Sequence, residues 1–105
     1  MAVKELKTAA FNDAVSEKDK LIVIDFWASW CGPCRMLSPI IDKLSEELTD
    51  VQFYKVNTDE EPQLAGHFQI NSIPTVMMVK DQKLVNQFVG YIPEEQVRAQ
   101  IESVK

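Results

Sequence analysis

"LIVIDFWASWCGPC", Leu21 to Cys34, is the stretch of this sequence that decides its fold. Its first part, residues 21–28, is apolar on both alternating faces except for Asp25. This pattern is typical of a central parallel strand covered by helices on both sides. After the cysteines the apolar residues recur at helical spacing, which predicts a helix that begins at Cys34 or earlier and ends at Leu48. The cysteines thus fall at the carboxyl end of a central strand, where open α/β sheets place their functional sites.

The rest of the chain extends this pattern into an α/β domain. From the apolar spacing we expect an edge strand at 2–6, a short helix within 8–19 capped by Thr8, a strand at 51–57, a short helix at 60–68, hairpin strands at 74–79 and 83–89, and a last helix from Pro93. Strands that alternate with helices and end in a hairpin imply a mixed sheet with helices on both faces. No repeat or linker interrupts the chain, so we predict a single domain over residues 1–105.

The composition narrows the possible functions. Apolar residues make up 46% and charged residues 26% of the 105 positions, the balance of a soluble globular protein. A net charge of −5, with 11 basic residues scattered among 16 acids, argues against nucleic acid as a partner. No apolar stretch is long enough to span a membrane. The N-terminal segment lacks the apolar core of a secretory signal, so we expect a cytoplasmic protein, although a chain that had lost its leader would look the same.

The close cysteine pair has three interpretations: two ligands of a metal site, a structural disulfide or a redox-active dithiol. A structural zinc site takes four ligands, and besides Cys31 and Cys34 the chain offers only one histidine, His67. A disulfide between residues three apart closes a very short loop and therefore contributes little to stability. Residues at this spacing on a helix do lie side by side, so the bond forms easily. A bond that forms easily and stabilises little suits the redox interpretation.

Local chemistry then distinguishes the two thiols. Cys31 lies where the strand has ended and the helix begins, so free backbone N–H groups and the helix dipole stabilise a thiolate there. Gly32 has no side chain to shield that sulfur, and Pro33 suits a first helical turn because it lacks the N–H that would have no partner. We expect Cys31 to be exposed and Cys34, one turn further in, to be buried.

The chain resembles the thioredoxin family along almost its whole length. "WCGPC", Trp30 to Cys34, is identical to the active-site motif of that family, and "DFWASWCGPCRMLSPI", "KVNTDEEPQLAGHFQINSIPTVMMV" and "FVGY" match it in order and spacing. The resemblance implies the thioredoxin fold, with four to five strands in the central sheet. It also implies a general protein disulfide reductase that acts as a monomer on disulfide-containing proteins and binds no cofactor or metal. A flavin-dependent, NADPH-consuming thioredoxin reductase would restore its dithiol.

The resemblance assigns roles to residues outside the motif. Asp25 is either a strand residue that faces water or a buried carboxyl whose pKa is raised by desolvation; the family favours the second, as the acceptor of the Cys34 proton. Lys55 would tune Asp25. The Ile73–Pro74 bond would be cis, with the Ile73 backbone hydrogen-bonding an extended substrate. We define the docking surface as the residues expected to contact substrate: Trp30, Pro33, Ile73, Pro74, Val89, Gly90 and Tyr91.

The sequence also departs from the family pattern. The hairpin turn "KDQKL", 80–84, lacks the usual glycine; Gln69 and Ser72 stand where glycines are frequent, and Tyr91 is bulkier than usual. These departures concern turn stability and partner preference rather than the chemistry. Two rival functions stay open: an oxidant or isomerase using the same cysteines, and a binding module for which the thiols are incidental. The Gly-Pro dipeptide between the cysteines favours the reducing branch over the first rival.

Overall fold

A five-stranded mixed β-sheet forms the centre of the computed structural model, which describes residues 2–105. In chain order the elements are β1 Val3–Glu5, a 3₁₀ turn Thr8–Ala10, α1 Phe11–Val15, β2 Leu21–Trp27, α2 Gly32–Glu47, β3 Val51–Asn57, α3 Pro62–His67, β4 Thr75–Lys80, β5 Lys83–Val89 and α4 Glu94–Glu102. Each strand and helix expected from the apolar spacing is present, with ends that differ by a few residues. None of the helices in the described chain is long and apolar enough to cross a membrane.

The strand order β1-β3-β2-β4-β5 places β2 in the middle of the sheet. β2 pairs in parallel with β3 and antiparallel with β4, while β1 adds in parallel to β3 and β5 adds antiparallel to β4. In this register Asp25 lies between Lys55 on one side and Val76 on the other. The parallel β2–β3 connection runs through α2, so the helix that carries the cysteines crosses one face of the sheet.

Both faces of β2 are buried, because helices cover the sheet on each side. One cluster joins β2, through Val23, to residues of α2 and α4 such as Ile41 and Ile101. The other joins Ile22, Ile24 and Phe26 to side chains of α1 and α3. A strand buried on both sides has to be apolar almost throughout, which explains the composition of residues 21–28. The fold class predicted from the sequence is confirmed.

Thr8 does not cap a helix, because its backbone N–H and its hydroxyl both donate to Glu61 Oε1, each at 2.8 Å. A carboxylate accepts stronger hydrogen bonds than a neutral group, and Glu61 thereby connects the N-terminal segment to the start of α3.

The tight turn predicted between β4 and β5 is present, and Asp81 and Gln82 adopt positive φ values of 52° and 65°. These values belong to the left-handed region that glycine or asparagine usually occupies in such turns.

Candidate active site

The two cysteines form a disulfide at the N-terminus of α2. Cys31 is the N-cap residue, in an extended conformation, and its Sγ accepts a hydrogen bond of 3.2 Å from the backbone N–H of Cys34. Pro33 lies in the first turn, where its missing N–H costs no hydrogen bond. The Cα atoms of Cys31 and Cys34 are 5.3 Å apart. An N–H group and the helix dipole therefore both point at the sulfur of Cys31, and both favour negative charge there.

Both cysteines are buried in this disulfide form: Cys31 is 5% exposed and Cys34 is 2% exposed. The expectation that Cys31 would be exposed is wrong for this state. Its sulfur lies 3.6 Å from the carbonyl oxygen of Ile73, and Trp27 and Ala28 complete a small apolar cluster around the pair. The Gly32–Pro33 side of the pair is open, because both residues are exposed and a side chain added at Gly32 would meet no atom within 4 Å.

Asp25 is a buried carboxyl, exposed by only 4%, on the strand that leads to the cysteines. Its side chain shares a strand face with Val23, which packs against α2, and with Trp27, which packs against the cysteines. The pKa of Asp25 is raised to about 7: removal from water is the main cause, the negative charge of Asp42 adds to the rise, and the positive charge of Lys55 opposes both. Within residues 2–105, Asp25 Oδ1 has no hydrogen-bond partner. The interpretation of Asp25 as a water-facing strand residue is therefore wrong.

Lys55 lies on β3 directly beside Asp25 in the parallel register. Its Nζ is 5.8 Å from the ring centroid of Trp27, close enough for an attraction between the cation and the ring face. The same positive charge lowers the pKa of Asp25. The structure thus places Lys55 where it influences both the buried acid and an aromatic ring that contacts the cysteines.

The loop before β4 places Ile73 beside the disulfide, and a backbone hydrogen bond joins this loop to the segment after β5. The Ile73–Pro74 bond is cis, as expected, and the Pro74 carbonyl accepts a hydrogen bond of 2.8 Å from Gly90 N–H. Gly90 has a φ of +89°, a left-handed conformation that favours glycine over any residue with a Cβ. Trp30, Val89 and Tyr91 are exposed by 67%, 55% and 41%. Large apolar side chains thus remain in water around a buried disulfide.

Two residues of this region had no place in the sequence-based prediction. Asp59 accepts a hydrogen bond of 2.9 Å from Trp30 Nε1 and so fixes the orientation of an otherwise exposed ring. Nothing in the local sequence joins these two positions, because they lie 29 residues apart. Asp42 adds negative charge near Asp25. Its spacing of eight residues from Cys34, about two helical turns, was a signal that could have identified it.

Among residues 2–105, no group of three His, Cys, Asp or Glu side chains is arranged to hold a metal ion. His67, the only histidine of the chain, stacks edge-on against the neighbouring Phe68 with ring centroids 4.7 Å apart. A pair of cysteines that forms a disulfide at the start of a helix, beside the central strand of an α/β sheet, is the arrangement of a thiol–disulfide oxidoreductase.

Comparison with known proteins agrees with this class. The sequence model of the thioredoxin family matches residues 2–103. A thioredoxin from Alicyclobacillus acidocaldarius is 42% identical over 104 residues, 98% of each chain. Thioredoxin 1 from Synechococcus elongatus is 45% identical over 82% of this chain and 81% of its own, and a thioredoxin from Listeria monocytogenes is 41% identical over 90% and 91%. The chain belongs to the thioredoxin family.

Proposed function

We propose that this oxidoreductase is a general protein disulfide reductase that cycles between a Cys31/Cys34 dithiol and the disulfide seen in the structure. The observation that carries the proposal is the position of Cys31 at the N-cap of α2, where a backbone N–H meets its sulfur. This position lowers the free energy of a thiolate, the form that attacks disulfides. The cycle needs electrons, and we assign their source to NADPH through a thioredoxin reductase, the arrangement implied by the family.

In the first step, the Cys31 thiolate attacks one sulfur of the substrate disulfide. A bond forms between Cys31 Sγ and that sulfur while the substrate S–S bond breaks, and the released substrate sulfur takes up a proton. The protein and the substrate are then joined by a mixed disulfide. Gly32 and Pro33 tune this step, because they form the open side of the buried site and leave the substrate sulfur room to approach.

In the second step, Cys34 loses its proton and attacks Cys31 Sγ. The mixed disulfide breaks, the Cys31–Cys34 bond forms, and the second substrate sulfur leaves as a thiolate, which completes a two-electron reduction. Asp25 accepts the Cys34 proton, because a carboxyl with a pKa near 7 is able to take or release a proton at neutral pH. Lys55 tunes this exchange by stabilising the charged form of Asp25.

Substrate binding rests on the docking surface. Exposed apolar rings and side chains at Trp30, Val89 and Tyr91 provide area that a partner buries on contact. The backbone around Ile73 and Pro74 receives an extended substrate segment by hydrogen bonding, beside the sulfur of Cys31. Gly90 has open space around its Cα, which lets a second backbone come close. Asp59 keeps Trp30 in position on this surface.

The whole chain acts as one domain and as a monomer, without a bound cofactor or metal. Its substrates are disulfide-containing proteins, and neither nucleic acid nor a membrane takes part. We place the activity in the cytoplasm, because a reducing compartment keeps the dithiol form populated. The Gly-Pro pair between the cysteines, which resembles the reducing members of the family, agrees with this location.

The test is NADPH-coupled reduction of insulin in the presence of a thioredoxin reductase. The wild-type protein should turn over, the Cys31→Ser variant should not, and the Ser38→Ala variant, at an exposed position of α2, should match the wild type. Absence of turnover by the wild type would refute the reductase function. Full biological function of the Cys31→Ser protein would instead support the rival interpretation as a binding module.

A further inference from the structure

A cleft of about 230 Å³ lies beside the docking surface, between the α3–β4 loop and β5. We call it the polar cleft. Its lining combines the polar side chains of Gln69, Asn71, Ser72, Thr75 and Gln87 with the apolar side chains of Phe68, Ile70 and Val89. None of its lining residues is charged. It is thus a neutral, hydrogen-bonding depression in a protein with a net charge of −5.

Four of the polar side chains in the cleft are exposed to water and are not engaged by other groups in the described part of the protein. Within residues 2–105, the side chains of Gln69, Asn71, Ser72 and Gln87 form no hydrogen bond, whereas the hydroxyl of Thr75 donates to the Ser72 carbonyl at 2.5 Å. Amide and hydroxyl groups offer both donors and acceptors. A ligand group that has both a hydrogen-bond donor and an acceptor can therefore form both kinds of hydrogen bond in the cleft, and neither bond requires a charged group.

The strand register makes the polar cleft continuous with the docking surface. Thr75 pairs with Val89 and Met77 pairs with Gln87, so Gln87 and Val89 project on the same face of β5, two residues apart. Val89 belongs both to the docking surface and to the rim of the cleft. At the other side, Ser72 directly precedes Ile73, whose carbonyl lies beside the sulfur of Cys31. A substrate segment bound at Ile73 thus has the cleft within reach of its neighbouring side chains.

We infer that the polar cleft binds a side chain of the substrate segment next to its disulfide cysteine, and that it selects neutral amide or hydroxyl side chains over charged ones. The inference rests on the proposed function and adds a substrate preference to it. Selection against charge follows because a charged side chain would give up part of its water on entering the cleft without meeting an opposite charge. Selection against purely apolar side chains follows because the free amide and hydroxyl groups would then lose water without gaining a partner.

The substrates are pairs of identical peptides joined by a disulfide between their single cysteines. In each peptide one position, either directly before or directly after the cysteine, carries Gln, Ser, Ala, Glu or Lys. The protein is reduced with dithiothreitol and desalted, and its oxidation by each peptide is followed by tryptophan fluorescence in single-turnover mixing. Each rate is divided by the rate with 2-hydroxyethyl disulfide, which is too small to reach the cleft. At one of the two varied positions, we expect the Gln and Ser peptides to oxidise the protein about fivefold faster than the Ala peptide. At the same position they should react about tenfold faster than the Glu and Lys peptides.

A charge placed in the cleft should change the preference in a defined direction. In the Gln87→Lys variant the Glu peptide should become the fastest, while the Gln96→Lys variant should keep the wild-type ranking. Gln96 is the matched control because it is exposed on α4, which packs on the opposite face of the sheet. The Asn71→Leu variant, which removes one hydrogen-bonding side chain without adding charge, should narrow the difference in rate between the Gln and Ala peptides.

Equal rates for all peptides with the wild-type protein would overturn the inference and leave the reductase function intact. An unchanged ranking in Gln87→Lys would also overturn it. If no peptide of any composition oxidised the reduced protein, the proposed function itself would fail and the inference with it.

Discussion

Replacing Asp25 by asparagine should remove a large part of the pH dependence of stability in the disulfide form. The pKa of Asp25 is about 7 in the folded protein, compared with an ordinary value of 3.8. The folded state therefore holds a proton that the unfolded state has released between about pH 4 and pH 7, so stability falls as pH rises through this interval. A difference of about 3 between the two pKa values corresponds to about 4 kcal/mol, of which about 3 kcal/mol develops between roughly pH 4.5 and pH 8.5.

The assay is urea denaturation of the oxidised protein at a series of pH values, without reductant, so that neither cysteine titrates. From about pH 4.5 to pH 8.5, the wild type should lose about 3 kcal/mol of unfolding free energy relative to Asp25→Asn. Any constant cost of burying the amide cancels in this comparison. The Asp13→Asn variant, on exposed surface of α1, serves as the control and should follow the wild type. Parallel pH profiles for the wild type and Asp25→Asn would refute the assignment of a raised pKa to this residue.

Three further predictions concern the neighbouring charge, the hairpin and the core. The Asp42→Asn variant removes a negative charge that raises the pKa of Asp25, so the midpoint of the Asp25 titration, followed by carboxyl carbon NMR, should move to lower pH; an unchanged midpoint would contradict this. The Gln82→Gly variant should stabilise the protein by about 1 kcal/mol in urea denaturation, because Gln82 has a φ of 65°, and a destabilised variant would show that the turn is not strained. The Ile41→Ala variant should cost about 2–5 kcal/mol in the same assay, since Ile41 is 1% exposed, and a loss below about 1 kcal/mol would mean that the α2 face packs loosely.

The sheet was predictable because its strands carry strong local patterns. Residues 21–27 are apolar on both faces, and this composition already required helices on each side of the strand. The same pattern favoured a buried Asp25, because its neighbours are apolar on both faces, but it left a water-facing position open, and the family resemblance decided between the two. The cis bond before Pro74 came only from the family resemblance, because the local sequence favours trans.

The contacts that were not predicted join residues distant in sequence. Cys31 is buried because Ile73, 42 positions away, covers its sulfur. Thr8 donates to Glu61 across 53 positions instead of capping a helix. Local spacing carries information about one helix or strand at a time, so it cannot rank a remote partner against a nearby one. The polar cleft is of the same kind, because its two sides come from the α3–β4 loop and β5.

The most direct test of the mechanism is to trap the mixed disulfide and identify the cysteine that carries it. The Cys34→Ser protein, mixed with a disulfide-containing protein such as insulin, should accumulate a covalent adduct through Cys31, because no second thiol is present to release it. Mass spectrometry of the digested adduct locates the bond. Accumulation with Cys34→Ser and none with Cys31→Ser is the expected result. Accumulation through Cys34 in the Cys31→Ser protein would reverse the assignment of attacking and resolving thiols and contradict the account.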